Sequence, residues 1–359
     1  MEYVFFTVAA LALVSHLTAT LSMLWMVRRR RARSVRSSPY VSILKPLRGL
    51  DDQLEENLES FFTLDYERYE LIFCAADQDD PALSIARRVI ARYPKVASRI
   101  CVGEEKGVGL NPKVRVLSKA TRLASGEILV VSDSNVRVRP HFLSETIPEF
   151  GPPDVAAVSN LVAGVDERSL GAALENLQLN GFIAPAICLG QALRAQTCVV
   201  GKSMAVRKSE LEAIGGWQAL GNVLAEDYLL GRRLAERGCR AVISPHIVET
   251  VNDLWSLRRF LERHDRWLKM RWRINSPALL FELVTNVTLW SAVAAIVAGL
   301  TPRAMAVAAL MIIGRALLDA ADIRMLKRDR EPPLLQLPLV PLRDLILALL
   351  WVRARVGRS

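Results

Sequence analysis

Apolar and polar positions along the chain follow two regimes. Residues 4–27 carry no charge, and at about 1.5 Å per helical residue they are long enough for the roughly 30 Å hydrocarbon core of a bilayer. Arg28, Arg29, Arg30, Arg31, Arg33 and Arg36 follow at once. A cleaved leader carries its positive charge before the apolar run and small residues after it. Here Glu2 precedes the run and arginines follow, so an uncleaved anchor is expected, with residue 28 onward on the cytoplasmic side. A second apolar regime begins near Pro277. Residues 278–300 read as one span, with Glu282 near its cytoplasmic end. Residues 303–320 read as a shorter one, interrupted by Arg315, and a basic cytoplasmic loop follows (Arg324, Lys327, Arg328, Arg330). Residues 334–352 carry Pro338, Pro341, Arg343 and Asp344, so spanning, re-entrant and interfacial placements stay open. A spanning placement puts the basic tail 353–358 outside, against the charge rule.

Between these ends, short apolar runs alternate with stretches of helical spacing. Residues 41–45 (closed by Pro46), 69–75 (YELIFCA), 99–102 and 128–132 (ILVVS) read as buried strands. Residues 51–62, a segment entering at Pro81, and residues 112–123 read as helices. Strands separated by helices predict βαβ units, hence an α/β domain on a mainly parallel, Rossmann-like sheet. In such sheets ligands sit beyond the carboxyl ends of the strands. That rule selects Asp77, just after YELIFCA, and Asp133, just after ILVVS.

The composition fits this division. The 359 residues are 51% hydrophobic and 23% charged, with net charge +10, and the mean hydropathy of +0.22 is high for one water-soluble globule. Intrinsic disorder is excluded by the apolar content. A disulfide scaffold is excluded because Cys74, Cys101, Cys188, Cys198 and Cys239 are sparse and form no CxxC pair; they read as reduced core thiols. A basic chain suggests nucleic acid, but here the arginines flank apolar spans, so a membrane surface is the expected partner and nucleic acid is not.

Several clusters carry candidate chemistry, each beside a plainer reading. Asp133-Ser134-Asn135 suits a turn, or ligation of Mg2+ or Mn2+ by Asp133 and Asn135. In Asp77-Gln78-Asp79-Asp80, Asp77 suits a ribose or uracil contact while Asp80 caps the next helix, and both hold together. Lys113, in Asn111-Pro112-Lys113, opens a helix, where a cation is unfavourable unless an anion such as a diphosphate lies nearby; the alternative is an exposed lysine. Glu226-Asp227 either answers the dipole of the helix it opens or supplies a general base. In Arg263-His264-Asp265-Arg266-Trp267 a guanidinium suits a departing diphosphate and Trp267 a stacking wall. Arg258, Arg259, Lys269, Arg271 and Arg273 also suit a basic membrane-surface helix. Residues 169–193 hold one charge, Glu175, and fit either a core helix or an interfacial helix lining an acceptor entry.

The order of these segments (CAADQDDPA, GVGLNPKV, VSDSNVRV, CVVGKSMAVRK, LAEDYLL, RHDRW) resembles GT-A glycosyltransferases of the processive-synthase type. Within them it resembles the ceramide glucosyltransferase family, glycosyltransferase family 21, as a bacterial member. The resemblance covers roughly residues 41–274 and the layout of apolar ends. It implies an inverting enzyme that transfers a hexose, glucose from UDP-glucose, to the primary hydroxyl of ceramide. It implies that Asp77 contacts the nucleotide, that Asp133 takes part in metal and diphosphate binding, and that Lys113 and Arg266 meet the diphosphate. Asp227 is then the base, with Glu226, Arg263 and Trp267 near the acceptor or diphosphate. The departure is Asn135, where the DxD pattern has a second aspartate, so less charge is offered to a metal. Hopanoid or diacylglycerol are alternative acceptors. A non-catalytic binding module predicts lost acids, whereas Asp77, Asp133 and Asp227 are all present. The expected organisation is an anchor at 1–27, a basic linker at 28–40, a cytoplasmic catalytic domain at 41–277 and a membrane region at 278–359 with two to three spans. The expected location is the cell inner membrane.

Overall fold

The computed structural model describes residues 1–29, 38–194, 199–274, 276–327 and 336–356. Arg30, Arg31, Arg33, Arg36, Cys198, Arg328 and Arg330, named above, lie outside the described residues, as do positions 334, 335, 357 and 358 of the ranges given above. The elements begin with α1 (Glu2–Arg28), β1 (Val41–Pro46), α2 (Leu54–Glu59), β2 (Tyr69–Ala75), α3 (Pro81–Arg92) and β3 (Ser98–Val102). Next come α4 (Pro112–Thr121), β4 (Ile128–Ser132), β5 (Val136–Arg137), α5 (Phe142–Thr146), β6 (Val155–Val165), α6 (Leu170–Gln178) and α7 (Ala184–Ala192). They continue with β7 (Ser203–Arg207), α8 (Lys208–Ala213), α9 (Glu226–Glu236), β8 (Arg240–Val251) and α10 (Leu257–Ile274). The last are α11 (Ser276–Val284), α12 (Val287–Val297), α13 (Pro302–Leu326) and α14 (Leu339–Val356). The chain forms two compact units: a sheet unit of Arg28–Val162 with Leu193–Val251, and a helical unit of Met1–Val27, Ala163–Ala192 and Asn252–Ser359.

The sheet has eight strands in the order β3-β2-β1-β4-β7-β6-β8-β5. The half anticipated from the βαβ pattern is parallel: β1 pairs with β2 and β4, and β2 with β3. The other half is joined antiparallel, β4 to β7, β7 to β6 and β5 to β8. Helices cover both faces of the parallel half, which explains the unbroken apolar runs. Ile43, Leu71, Phe73 and Val130 face one core with Leu58 of α2 and Leu83 of α3. The alternate positions Leu44, Ile72, Cys74 and Val131 face a second core with Leu117 of α4 and Leu230 of α9. Cys74, Cys101 and Cys188 are buried free thiols, and Cys239 is half-buried.

The helix expected over 51–62 is shorter. Gln53 lies in the left-handed region (φ 50°), so α2 starts at Leu54, and a 3-10 turn, Ser60–Phe62, closes it. The helix after β2 enters as anticipated: Asp80 accepts from the Ala82 N–H at 2.9 Å, and Pro81 stands at the first helical position.

In the helical unit, the apolar segment containing Glu175 forms α6, a π-helical turn at Leu179–Ile183, and α7. Residues 171–178 are all buried, as a core helix requires, with α6 packed against α10 and α14. The single span expected over 278–300 is two helices. Asn286 ends the run by capping α12, its side chain accepting from the Leu289 N–H at 2.9 Å. Conversely, α13 passes through Arg315 and is longer than expected, because the buried guanidinium pairs with Asp319 one turn on. Arg343 pairs with Asp344 (2.6 Å) and Asp319 (3.0 Å), and Pro341 falls in the tolerant first turn of α14. Lys327, expected in a cytoplasmic loop, pairs with Glu167 at 2.5 Å. Among the described residues, α1 and α13 are long and apolar enough to cross a membrane, and α12 is a shorter apolar helix.

Candidate active site

The carboxyl ends of β1, β2 and β4 lie on one edge of the parallel half of the sheet, and five of the sequence-selected residues meet there: Lys113, Asp133, Asn135, Glu226 and Asp227. Asn111 caps α4, accepting from the Lys113 N–H at 3.0 Å, while Pro112 occupies the first turn. Its amide also donates to the Val223 carbonyl (2.8 Å) and to Glu226 (3.3 Å), tying the start of α4 to the start of α9. Gly109 permits this approach: its φ is +99°, and a Cβ there would stand 2.6 Å from the Gly221 carbonyl. Lys113 thereby reaches Asp133 (3.0 Å) and Glu226 (2.9 Å). A lysine opening a helix needed an anion, and two carboxylates of the protein supply it.

The antiparallel return of β7 adds the remaining groups. Ser203 pairs with Ser132, so Lys202 lies across from Asp133, whose N–H donates to the Lys202 carbonyl at 3.1 Å. The Lys202 ammonium reaches Asp133 (3.4 Å) and donates to the Asn135 side-chain Oδ1 (2.8 Å). The Gly201 N–H donates to Asp227 at 2.9 Å, an approach that a Cβ on Gly201 would block. Asp227 also accepts from the Tyr228 N–H at 2.8 Å. Under this group lies Lys45, fully buried over the Phe61 ring, donating to the Asp133 carbonyl at 2.6 Å.

The electrostatics separate the two aspartates. Burial opposes ionisation of Asp133, but Lys113 and Lys202 outweigh it and hold the carboxyl at about 2. Asp227 moves the other way, to about 6, because burial and then the neighbouring Glu226 disfavour its charge more than Lys113 and the two N–H donors favour it. Burial alone would lower Lys113, yet Asp133 and Glu226 hold its ammonium above the usual lysine range. Lys45 is lowered to about 7 by burial, against the pull of Asp133 and Asp51. The group therefore presents a permanently ionised carboxylate between two ammonium groups, beside a carboxyl that changes charge near neutrality. That is the pattern of an anion-binding centre with a general base.

The other sequence-selected residues make no contact with this group. Asp77 follows β2 on the same edge of the sheet, exposed, and accepts from the Asp79 N–H at 3.0 Å. Arg263, Arg266 and Trp267 belong to α10 in the helical unit. There Arg263 pairs with Glu175 at 2.9 Å and stacks on Trp267, 4.7 Å from its centroid, while Arg266 is exposed. Lys45, Gly201 and Lys202 were not selected from the sequence. Lys45 closes a strand, so the rule that found Asp77 and Asp133 would have found it. Gly201 and Lys202 needed the antiparallel strand.

Among the described residues no cluster of three His, Cys, Asp or Glu side chains forms a metal-binding group. Asp133 and Asn135 nevertheless offer two oxygens of the hard type that Mg2+ or Mn2+ takes, and ions of this kind usually complete their shell with water and phosphate oxygens. The present partners of those oxygens are lysine side chains, which can turn away, so the donor set fits an ion arriving with a diphosphate.

The sequence profile of glycosyl transferase family 21 matches residues 6–359. The chain belongs to that family. This family-21 chain is similar to two Caenorhabditis elegans proteins, ceramide glucosyltransferase 3 and ceramide glucosyltransferase 1. The first is 36% identical over 247 residues, 68% of this chain and 53% of the relative. The second is 34% identical over 234 residues, 65% of this chain and 50% of the relative. The chain thus spans about half the length of these curated relatives. Among solved structures it is similar to the mannosyltransferase PcManGT from Pyrobaculum calidifontis, in complex with GDP-Man and Mn2+. That similarity covers 99% of this chain and 100% of the other, with a TM-score of 0.55 and 18% identity. The family-21 chain therefore has a GT-A-like fold.

Proposed function

We propose that this chain is a membrane-bound inverting glycosyltransferase that moves a hexose, glucose from UDP-glucose, to the primary hydroxyl of ceramide. The observation that carries this reading is the pairing of Asp227, titrating near 6, with the Lys113–Asp133–Lys202 cluster at the carboxyl edge of the sheet. The relatives named as ceramide glucosyltransferases support the donor and acceptor classes.

The chemistry follows from charge. The acceptor oxygen attacks the anomeric carbon as Asp227 takes its proton. The bond from that carbon to the diphosphate oxygen breaks, and its electron pair leaves with UDP. Lys113 and Lys202 turn from Asp133 toward the diphosphate and stabilise the charge that develops there. Asp133 and Asn135 would hold a Mg2+ or Mn2+ ion, which supplies further charge neutralisation; the Mn2+ bound by PcManGT supports this. Asp77 faces the nucleotide. The apolar helices α1 and α13 anchor the chain in the inner membrane, and Arg28 and Arg29 at the end of α1 favour a cytoplasmic sheet unit.

The test is mass spectrometry of products formed by the full chain in detergent with UDP-glucose, UDP-galactose or UDP-N-acetylglucosamine. Ceramide, diacylglycerol and a hopanoid are offered as acceptors. Hexosylceramide is expected. Transfer only to another lipid replaces the acceptor, and no transfer to any lipid overturns the reading.

A further inference from the structure

Two features of the sheet unit fit one another. Asn135 stands where a second carboxylate is expected, and Lys202 reaches the site although no strand-end rule selected it. Strand β7 sets Lys202 across from Asp133, whose N–H donates to the Lys202 carbonyl at 3.1 Å. The Lys202 ammonium donates to Asn135 Oδ1 at 2.8 Å and stands 3.4 Å from one oxygen of Asp133. These two side chains are the ones whose oxygens suit Mg2+ or Mn2+. A single ammonium therefore bridges the pair that an ion would bridge.

Lys113 does not share this place. It meets the other Asp133 oxygen at 3.0 Å, Glu226 at 2.9 Å and the Gly201 carbonyl at 3.4 Å, which leaves Asn135 to Lys202.

The charges of the pair suit an ammonium better than a lone dication. A side-chain amide oxygen is a neutral acceptor, and one carboxylate with one amide satisfies a single positive charge. Affinity for a divalent ion rises with the charge of its ligands. An ion arriving alone meets one carboxylate, one amide and two ammonium groups that repel it. An ion arriving with a diphosphate gains anionic oxygens in its shell, and the same oxygens draw the ammonium groups from Asp133. The Lys202 side chain is 20% exposed and that of Asp133 27%, so the ammonium can leave the pair without unpacking the core.

We infer that Lys202 is the resident cation of the Asp133–Asn135 pair, and that a divalent ion enters the pair only with a nucleotide diphosphate that draws Lys202 away. The inference rests on the donor-site reading above. It adds an order of entry, nucleotide and ion together, and it makes Lys202 the residue that sets metal affinity.

The test uses the full chain in detergent, with free Mn2+ read by electron paramagnetic resonance and UDP binding by calorimetry. Mn2+ alone is expected to bind Lys202→Met at least about tenfold more tightly than the wild type, because a positive charge beside the ion is removed. Saturating UDP is expected to tighten Mn2+ binding at least about tenfold in the wild type, and by a smaller factor in Lys202→Met. Asn135→Asp adds a carboxylate, from which a dication gains about twice what an ammonium gains, so Mn2+ alone should bind it about tenfold more tightly than the wild type. Equal or weaker Mn2+ affinity in Lys202→Met, in a protein that still binds UDP at saturating Mn2+, overturns the inference. So does a wild type whose Mn2+ affinity ignores UDP, or unchanged Mn2+ affinity in Asn135→Asp, which places the ion elsewhere. If Lys202→Met loses cooperative unfolding, Lys202→Gln, which keeps a donor for Asn135 without the charge, decides by the same criterion. A wild type that binds no UDP at any Mn2+ level refutes the donor-site reading itself. One that binds UDP while Lys202→Met leaves Mn2+ affinity unchanged refutes the role of Lys202 alone.

Discussion

The pH dependence of transfer tests the site most directly, through Glu226. The Asp227 carboxyl stands at about 6 instead of 3.8, first because it is buried and then because Glu226 adds a like charge beside it. A general base works only when ionised, so with a midpoint near 6 about nine-tenths of Asp227 is active at pH 7 and about one-tenth at pH 5. The rate should therefore fall roughly tenfold between those two values. Glu226→Gln removes the like charge. It also releases Lys113 from its 2.9 Å pairing with Glu226, which leaves more of the ammonium charge to favour ionised Asp227. Both changes lower the Asp227 pKa. If they lower it by about one pH unit, half of the carboxyl is ionised at pH 5, and activity at pH 5 relative to pH 7 rises about fivefold. The assay is kcat/KM for the lipid at saturating nucleotide sugar, measured from about pH 4.5 to 8 for both proteins. An acid limb that stays in place or moves upward in Glu226→Gln refutes the assignment of Asp227 as the base.

Other expectations follow from the same contacts. Asp227→Asn is expected to reduce transfer by at least about a hundredfold while UDP affinity, read by calorimetry, stays within about twofold; lost UDP binding contradicts the base role. Lys113→Ala is expected to weaken UDP-sugar binding about tenfold or more, because it removes a cation, leaves Glu226 without its lysine and leaves Asp133 with Lys202 alone; unchanged affinity removes Lys113 from the donor site. Lys202→Met is expected to lower UDP affinity most when Mn2+ is scarce, with recovery as Mn2+ is added; equal affinity at every Mn2+ level excludes it from diphosphate binding. Lys45→Met takes from the Asp133 carbonyl one of its two donors, leaving the Val136 N–H at 3.2 Å, and should cost about 0.5–1.5 kcal/mol in thermal or urea unfolding. A stability equal to that of the wild type would contradict that role.

Much of the site was legible in local sequence. Buried strands on a doubly covered parallel sheet leave unbroken apolar runs, and the carboxyl-end rule then singles out Asp77 and Asp133 without any contact information. Asp80 and Asn111 announce helix starts because capping depends on residues only two or three positions away. What the sequence could not assign was the meaning of Lys113. Its electrostatic demand for an anion was visible, but the anions were Asp133 and Glu226, and Glu226 stands on another helix, 113 positions along the chain.

The same distinction holds across the molecule. Periodicity, caps and hydropathy depend on near neighbours, so the sequence by itself determined the parallel half of the sheet, the strand-end acids and the two apolar ends. Contacts between distant segments depend on how the chain returns. Only the antiparallel entry of β7 brought Lys202 to Asp133 and Gly201 to Asp227. Only packing in the helical unit converted Arg315 and Arg343, which look like interruptions of apolar runs, into paired interior charges, because a buried guanidinium is tolerated when a carboxylate meets it.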